Sequence, residues 1–77
     1  MTPKIFATRL HEELDAIDFP TRSDERVEAF AKLMHIAKFQ AECILNGVNL
    51  PDAELLQQII DELDLDIDSW EQDHESN

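Results

Sequence analysis

Apolar side chains recur every third or fourth residue through most of this 77-residue sequence. Such spacing places them on one face of an α-helix, whereas a half-buried strand alternates apolar and polar residues. The clearest run lies in the second half of the chain and contains Leu55, Leu56, Ile59, Ile60 and Leu63. A single Gly and three Pro leave long stretches free of helix breakers. The sequence therefore predicts an all-α fold.

Capping and breaking residues divide the chain into five predicted elements. We predict helices over about residues 3–18, 24–34, 37–45 and 53–63, and a short helix or turn over about 66–71. Thr2, Ser23 and Asp52 are suited to cap the first, second and fourth helices, because their side chains accept hydrogen bonds from free backbone N–H groups. Phe19-Pro20 is expected to end the first helix, and Asn46-Gly47 to end the third.

The apolar faces of these elements form the predicted core. Besides the run in the fourth helix, its predicted members are Phe6, Leu10, Leu14, Ile17, Val27, Phe30, Ala31, Met34, Ala41, Ile44, Leu45, Leu65, Ile67 and Trp70. We expect one domain over residues 1–71 and a polar, disordered tail over 72–77. A core of this size provides only a few kcal/mol of net stability, so a homodimer is a reasonable expectation.

The net charge of −12 is distributed unevenly along the chain. Residues 1–38 carry six Lys or Arg and seven Asp or Glu, whereas residues 39–77 carry eleven Asp or Glu and no Lys or Arg. The second half is expected to repel phosphate groups and membrane surfaces, and to attract basic proteins or cations.

The sequence indicates neither an active site nor a metal site. It has no Gly-rich phosphate loop and no Ser-His-Asp arrangement, and none of its His residues has metal-ligand spacing with Cys43. Alternating acids over residues 64–68 resemble a calcium loop, but Ser69 stands where that loop requires Gly, so we interpret them as a solvated acidic edge. We predict no enzymatic activity, no cofactor and no small-molecule substrate.

Cysteine usage and hydropathy predict the compartment. The single Cys43 cannot form an internal disulfide, which is typical of a reducing compartment. No apolar run approaches the roughly 18 residues of a membrane span, and the N-terminus has no apolar signal-peptide core. We therefore expect a cytoplasmic protein that does not enter membranes.

A short helix, a tight break and a second short helix follow each other in the order of a helix-turn-helix unit. The likeness extends over consecutive segments: Phe30 to Ala37 correspond to the second helix and turn, Lys38 to Leu45 to the third helix, Asn46 to Asn49 to the next loop, and Leu50 to Leu63 to the fourth helix. Over about residues 4–71 the sequence resembles the DNA-binding domains of the lambda repressor and Cro family. This resemblance implies a compact five-helix domain that dimerises and places its third helix in the major groove of DNA.

The sequence departs from the family pattern mainly in the DNA-reading unit. His35 replaces the usual Gly of the turn, Ala37 replaces the Ser or Thr that caps the third helix, and Val27 replaces a phosphate-clamping Gln. Asp64 stands where Gly often follows the fourth helix. These changes are compatible with the fold, because His and Asp occupy left-handed turns at modest cost.

The first functional hypothesis, implied by the resemblance, is a small transcriptional regulator with weak or lost DNA binding. Its DNA-contact candidates are Arg22, Arg26, Lys38, Phe39, Glu42 and Asn46. Side chains of the third helix would face base edges, and the two Arg and the Asn would contact the DNA backbone. Neutralised phosphates supply much of DNA affinity, yet acidic residues are interspersed with these cations.

The second hypothesis is an acidic protein-interaction module on the same scaffold. Its interface candidates are Phe39, Asp61, Glu62, Asp64, Asp66 and Asp68. The partner would be a basic protein, for which this chain acts as a DNA mimic, an anti-regulator or an antitoxin. An outward-facing Phe39 suits a protein interface; it could instead touch a thymine methyl or, with the third helix rotated, belong to the core. A continuous positive surface over the second and third helices favours the regulator, and a neutral or negative one favours the interaction module.

Overall fold

The computed structural model describes residues 1–68, and these residues are all-α without a β-strand. Four helices follow one another: α1 is Pro3–Ala16, α2 is Ser23–Met34, α3 is Lys38–Leu45 and α4 is Ala53–Leu63. The predicted count of five helices is therefore not matched in this part of the chain. Residues 69–71 of the predicted last element, which include Trp70, lie outside the described residues, as does the predicted tail over 72–77. None of the described helices is long and apolar enough to cross a membrane.

Side-chain caps begin α1 and α4, as predicted. Oγ1 of Thr2 accepts a hydrogen bond from the backbone N–H of Ile5 at 3.1 Å. Oδ1 of Asp52 accepts one from the backbone N–H of Leu55 at 2.8 Å. Each bond satisfies one of the free N–H groups in the first turn of its helix.

The other two helices begin without a side-chain cap. The prediction that Ser23 caps α2 is wrong, because Ser23 is already helical and Arg22 occupies the N-cap position without a side-chain hydrogen bond. Asp24 and Glu25 lie in the first turn of α2, where negative charge is favourable. Ala37 is the N-cap residue of α3 and also makes no side-chain bond.

All four helices end in the same type of turn. One residue adopts a left-handed backbone conformation, with φ of 61° at Asp18, 57° at His35, 75° at Gly47 and 54° at Asp64. The N–H of the following residue then bonds to the carbonyl five residues earlier: Phe19 to Leu14, Ile36 to Ala31, Val48 to Cys43 and Leu65 to Ile60, at 2.9–3.1 Å. This is the Schellman arrangement, which satisfies carbonyl groups at a helix end. It confirms that His35 and Asp64 tolerate left-handed turns.

α1 is shorter than the sequence predicts. It ends at Ala16 because the chain turns at Asp18, before the Pro that we expected to end it. Ile17 consequently lies outside the core with 51% of its surface exposed, so its predicted burial is wrong. Phe19, on the far side of the turn, packs against the core instead.

The core lies where the apolar faces of the helices meet. Its buried apolar residues are Phe6, Ala7, Leu10, Leu14, Val27, Phe30, Ala31, Met34, Ala41, Ile44, Leu45, Leu55, Ile59 and Leu65. Every core residue predicted for α2 and α3 is among them, whereas Leu56, Ile60 and Leu63 of α4 are only partly buried. α2 packs most extensively against α3, which also contacts α1. α3 therefore has two helices on its inner side and an exposed outer face.

Replacement of Gly47 is expected to destabilise the fold. A Cβ at this position would lie 3.2 Å from both Cα and Cγ of Lys4 at the start of α1. Because φ is 75° and the Lys4 backbone is held in a helix, we expect Gly47→Ala to lower the free energy of unfolding by about 1–2 kcal/mol. Urea denaturation measures this change. Asn46→Ala is the matched control, since Asn46 has a φ of −90° that alanine adopts freely; equal destabilisation by both variants would contradict the prediction.

Candidate interaction surface

The helix pair α2 and α3, with the flanking residues Arg22 and Asn46, carries the six side chains proposed to contact DNA. A three-residue turn, His35 to Ala37, joins the two helices. Five of the six side chains are exposed: Arg22, Lys38, Phe39, Glu42 and Asn46. The sixth, Arg26, is buried, with 5% of its surface exposed.

Arg26 forms an interior network instead of a surface contact. Its Nε donates to the Pro20 carbonyl at 2.7 Å, its Nη1 lies 2.9 Å from Nδ1 of His11, and its Nη2 pairs with the carboxylate of Asp15. Nε2 of His11 donates to the Leu45 carbonyl at 2.8 Å, which leaves Nδ1 to accept from the guanidinium. The network joins α1, α2 and the end of α3. Arg26 is therefore removed from the DNA-contact candidates, because its donors are engaged inside the protein.

Most other cations near this helix pair are paired with neighbouring acids. Nε of Arg22 lies 3.7 Å from Oδ1 of Asp24, and Nζ of Lys32 lies 3.5 Å from Oε1 of Glu28. Lys38 forms no ion pair with a described residue. The exposed surface of α2 and α3 is thus close to neutral, and it lacks a continuous positive stripe over the part of the chain that is described.

A cluster of carboxylates surrounds the C-terminal end of α4. We call it the acidic end; it consists of Asp61, Glu62, Asp64, Asp66 and Asp68, all of them exposed. None of the five forms an ion pair within residues 1–68. Negative charge is unfavourable here, because the C-terminus of a helix carries partial negative charge, and the last turn of α4 has no basic residue. Although Asp61 accepts a hydrogen bond from Nε2 of Gln57 at 3.0 Å and Asp64 forms the left-handed turn, ion pairing within the described residues does not account for the five charges.

A groove with both apolar and polar walls lies between α3 and the loop that leads to α4. This α3 groove has a volume of about 380 Å³, and it is lined by Phe39, Gln40, Cys43, Ile44, Asn49, Leu50, Pro51 and Asp52. Phe39 is 76% exposed and Leu50 is 44% exposed, and Val48 in the same loop is 62% exposed. These values exclude the alternative in which a rotated third helix buries Phe39.

Sequence reasoning found only part of this groove. The family resemblance implied that Phe39 lies on the outer side of the third helix, and its exposure agrees with that expectation. Leu50 of the groove and the nearby Val48 were missed, because a loop has no period from which to infer which side chains face solvent. One feature of the sequence indicated their exposure: both are large apolar side chains in a segment interpreted as a surface loop.

The groove and its surroundings offer little for metal chemistry. No group of His, Cys, Asp or Glu in the described part of the chain is arranged to hold a metal ion. Cys43 is a free and partly buried thiol in the groove wall.

No family model, curated protein or solved structure matches this chain. The resemblance to the lambda repressor and Cro family stays a prediction from the sequence. A function is therefore inferred from the charges, exposure and contacts of the surface described above.

Proposed function

We propose that this chain is a protein-interaction module on a helix-turn-helix scaffold of the lambda repressor and Cro type, and that it binds a basic protein in place of DNA. One observation carries the proposal: on α2 and α3 only Lys38 is an unpaired exposed cation, whereas the acidic end has no opposing charge among the described residues. DNA affinity depends on cations that are available to phosphates. Unpaired surface carboxylates, by contrast, attract and orient the cations of another protein.

The helix order supports the proposed scaffold. α2 and α3 are consecutive, they share the most extensive helix contact, and a tight turn joins them. His35 adopts the left-handed conformation at the position where the family usually has Gly, and Ala37 begins α3. The family membership, and the dimer that it implies, belong to this proposal.

The proposed partner is a protein with a dense patch of Lys and Arg. A DNA-binding protein presents such a patch to phosphates, and the acidic end would then occupy it as a DNA mimic or anti-regulator. A basic toxin presents a similar patch of Lys and Arg to its own target, and the chain would then act as an antitoxin. The two cases share the same surface chemistry, so one pair of variants tests both.

Charge reversal at the acidic end is expected to abolish capture of the basic partner. Tagged protein is used to capture partners from the source cells at about 50 mM salt, where electrostatic attraction is strong. We expect Glu62→Lys combined with Asp66→Lys to weaken binding by about tenfold or more, because ion pairs at the interface become repulsions. Affinity of the recovered partner is then measured with purified components, and raising the salt concentration should weaken it.

The control variant changes the net charge by the same amount elsewhere. Glu13→Lys combined with Glu25→Lys places the new charges on α1 and near the start of α2 instead of at the end of α4. This control should bind the partner within about twofold of the unmodified protein, since charges separated by more than a Debye length of about 8 Å are screened. Equal loss of binding in both double variants would show that only net charge matters and would contradict the proposed surface.

A DNA-binding regulator is the second candidate, and Lys38 favours it. This side chain is exposed and unpaired among the described residues, and it lies at the start of α3 next to Phe39. Fluorescence anisotropy with genomic DNA fragments at about 50 mM salt tests this function. The interaction module predicts no specific binding. Specific binding that is lost in Lys38→Ala would assign the chain to the regulator instead.

A further inference from the structure

We propose that the α3 groove binds the apolar face of a basic amphipathic helix supplied by the partner. This inference rests on the proposed function, because it names the part of the basic partner that is bound. It adds a second contact surface, in which apolar anchors rather than carboxylates carry most of the affinity.

The turn after α3 differs from the other three helix ends. In a Schellman turn, the residue after the left-handed position usually packs against its helix. Phe19, Ile36 and Leu65 do so and are buried or partly buried against the core. Val48 occupies the equivalent place after α3 but is 62% exposed. The fold therefore covers the apolar side chain at this position of the other three described helix ends but leaves Val48 uncovered.

Phe39 and Leu50 are two more exposed apolar side chains, and they lie in the α3 groove. Phe39 stands on the outer face of α3, is 76% exposed, and lines the same groove as Leu50. Single exposed apolar side chains are normal on a protein surface, whereas several around one concavity mark a binding site. Aromatic side chains of this kind supply much of the binding energy at protein interfaces.

The rim of the groove is acidic on the side of α4, and its charge defines the occupant. Asp52 lines the groove and Glu54 follows it in the first turn of α4, and both are exposed. The sequence has no Lys or Arg anywhere from Phe39 onward. An apolar centre inside an acidic rim is complementary to an apolar stripe flanked by Lys and Arg.

Lys38 does not alter this pattern. It lines a different concavity, between α2 and α3, together with Lys32, His35 and Glu28. A helix turns by about 100° per residue, so Lys38 and the adjacent Phe39 point in different directions. The cation lies on the α2 side and Phe39 on the loop side.

The backbone surroundings favour a helix as the occupant. The groove is formed by a helix and a loop, and the described residues contain no strand edge with which an extended peptide could pair. A bound helix satisfies its own backbone hydrogen bonds and needs only side-chain contacts. A second copy of this chain is a poorer occupant, because it carries the same acidic rim and a net charge of −12.

Two designed peptides test the groove directly. One is an amphipathic helix of about 18 residues built from Leu and Lys, and the other has Glu in place of Lys. We expect the Leu/Lys peptide to shift the backbone NMR signals of residues 39–52, and the Leu/Glu peptide to shift none. Calorimetry gives the dissociation constant of each complex.

Matched variants separate the groove from general charge attraction. Phe39→Ser is expected to weaken binding of the Leu/Lys peptide at least tenfold, and Leu50→Ser provides an independent second variant. Ile17→Ser removes an apolar side chain of similar exposure, 51%, that is outside the groove lining, and it should leave binding unchanged. Circular dichroism establishes that each variant is folded.

The outcomes distinguish failure of the groove from failure of the proposed function. Leu/Lys binding that shifts only the acidic end and is unaffected by Phe39→Ser would overturn the groove and leave the acidic interface intact. Absence of any Leu/Lys binding would overturn the groove, and the charge-reversal experiment would then decide the proposed function separately. If the NMR signals of residues 39–52 shift when the protein alone is concentrated, without peptide, the occupant is a second copy of this chain and the inference is overturned.

Discussion

Replacement of Arg26 by alanine is expected to lower the free energy of unfolding by about 2–3 kcal/mol, because it removes a buried guanidinium together with its hydrogen bonds to α1 and to the turn before α2. Arg26 is 5% exposed and donates to Pro20 and His11 while pairing with Asp15. Its loss leaves the partly buried Nδ1 of His11 without this donor, which costs about 1–3 kcal/mol, whereas the exposed Pro20 carbonyl and Asp15 carboxylate can bond to water instead. A domain of this size has only a few kcal/mol of stability, so Arg26→Ala should unfold at much lower urea concentrations.

Arg22→Ala is the matched control for this experiment. Arg22 is in the turn before α2 with its side chain 73% exposed, and its ion pair with Asp24 is 3.7 Å long. Solvent-exposed pairs contribute about 0–1 kcal/mol, so we expect its unfolding free energy to change by less than about 0.5 kcal/mol. Similar midpoints for the two alanine variants would mean that the interior network contributes nothing to stability.

The sequence itself indicated that Arg26 could be buried, but the family resemblance favoured a surface position. Arg26 precedes Phe30 by four residues, which places it on the apolar face of α2. His11 and Asp15 are also four residues apart and share a face of α1. The pairing of these faces depends on how the two helices pack, and no local pattern specifies that. Resemblance suggested a phosphate contact, whereas packing of α1 against its neighbours gives Arg26 interior partners.

Helix positions were predictable because their determinants are local. Caps such as Asp52 and breakers such as Gly47 act over a few residues, so the bounds of α2, α3 and α4 agree with prediction to within one residue. The end of α1 was missed for an equally local reason. A left-handed Asp18 followed by apolar Phe19 ends the helix, in the same way as His35 followed by Ile36. Non-Gly residues adopt this conformation infrequently. The prediction therefore relied on Pro20, two residues after Asp18, to end the helix.

The candidate surface was only half predictable. The acidic end follows from charge and α4 periodicity, and the outward position of Phe39 was implied by the family resemblance. The groove depends on the path of the loop between α3 and α4, which sequence periodicity does not specify. The sequence already showed acids interspersed with the cations of α2 and α3, but the burial of Arg26 and the ion pairs of Arg22 and Lys32 emerged only from the structure.

Truncation of Phe30 to alanine is expected to lower the free energy of unfolding by about 3–5 kcal/mol, because it removes a large core side chain and leaves a cavity. Phe30 is 0% exposed and belongs to the hydrophobic core. The identical substitution Phe39→Ala should change stability by less than about 0.5 kcal/mol, since Phe39 is 76% exposed. Urea denaturation of the two variants provides a comparison in which the chemical change is the same and only the environment differs.

This pair of variants also separates the fold from the proposed binding surface. If Phe39 is held outside the core for binding, Phe39→Ala should leave the free energy of unfolding unchanged and weaken binding of the Leu/Lys peptide. Phe30→Ala, by contrast, should lower the free energy of unfolding. A fall of more than about 1 kcal/mol in the unfolding free energy of Phe39→Ala would mean that Phe39 packs in the folded protein after all. The exposed aromatic would then be part of the core, and the α3 groove would lose its main anchor.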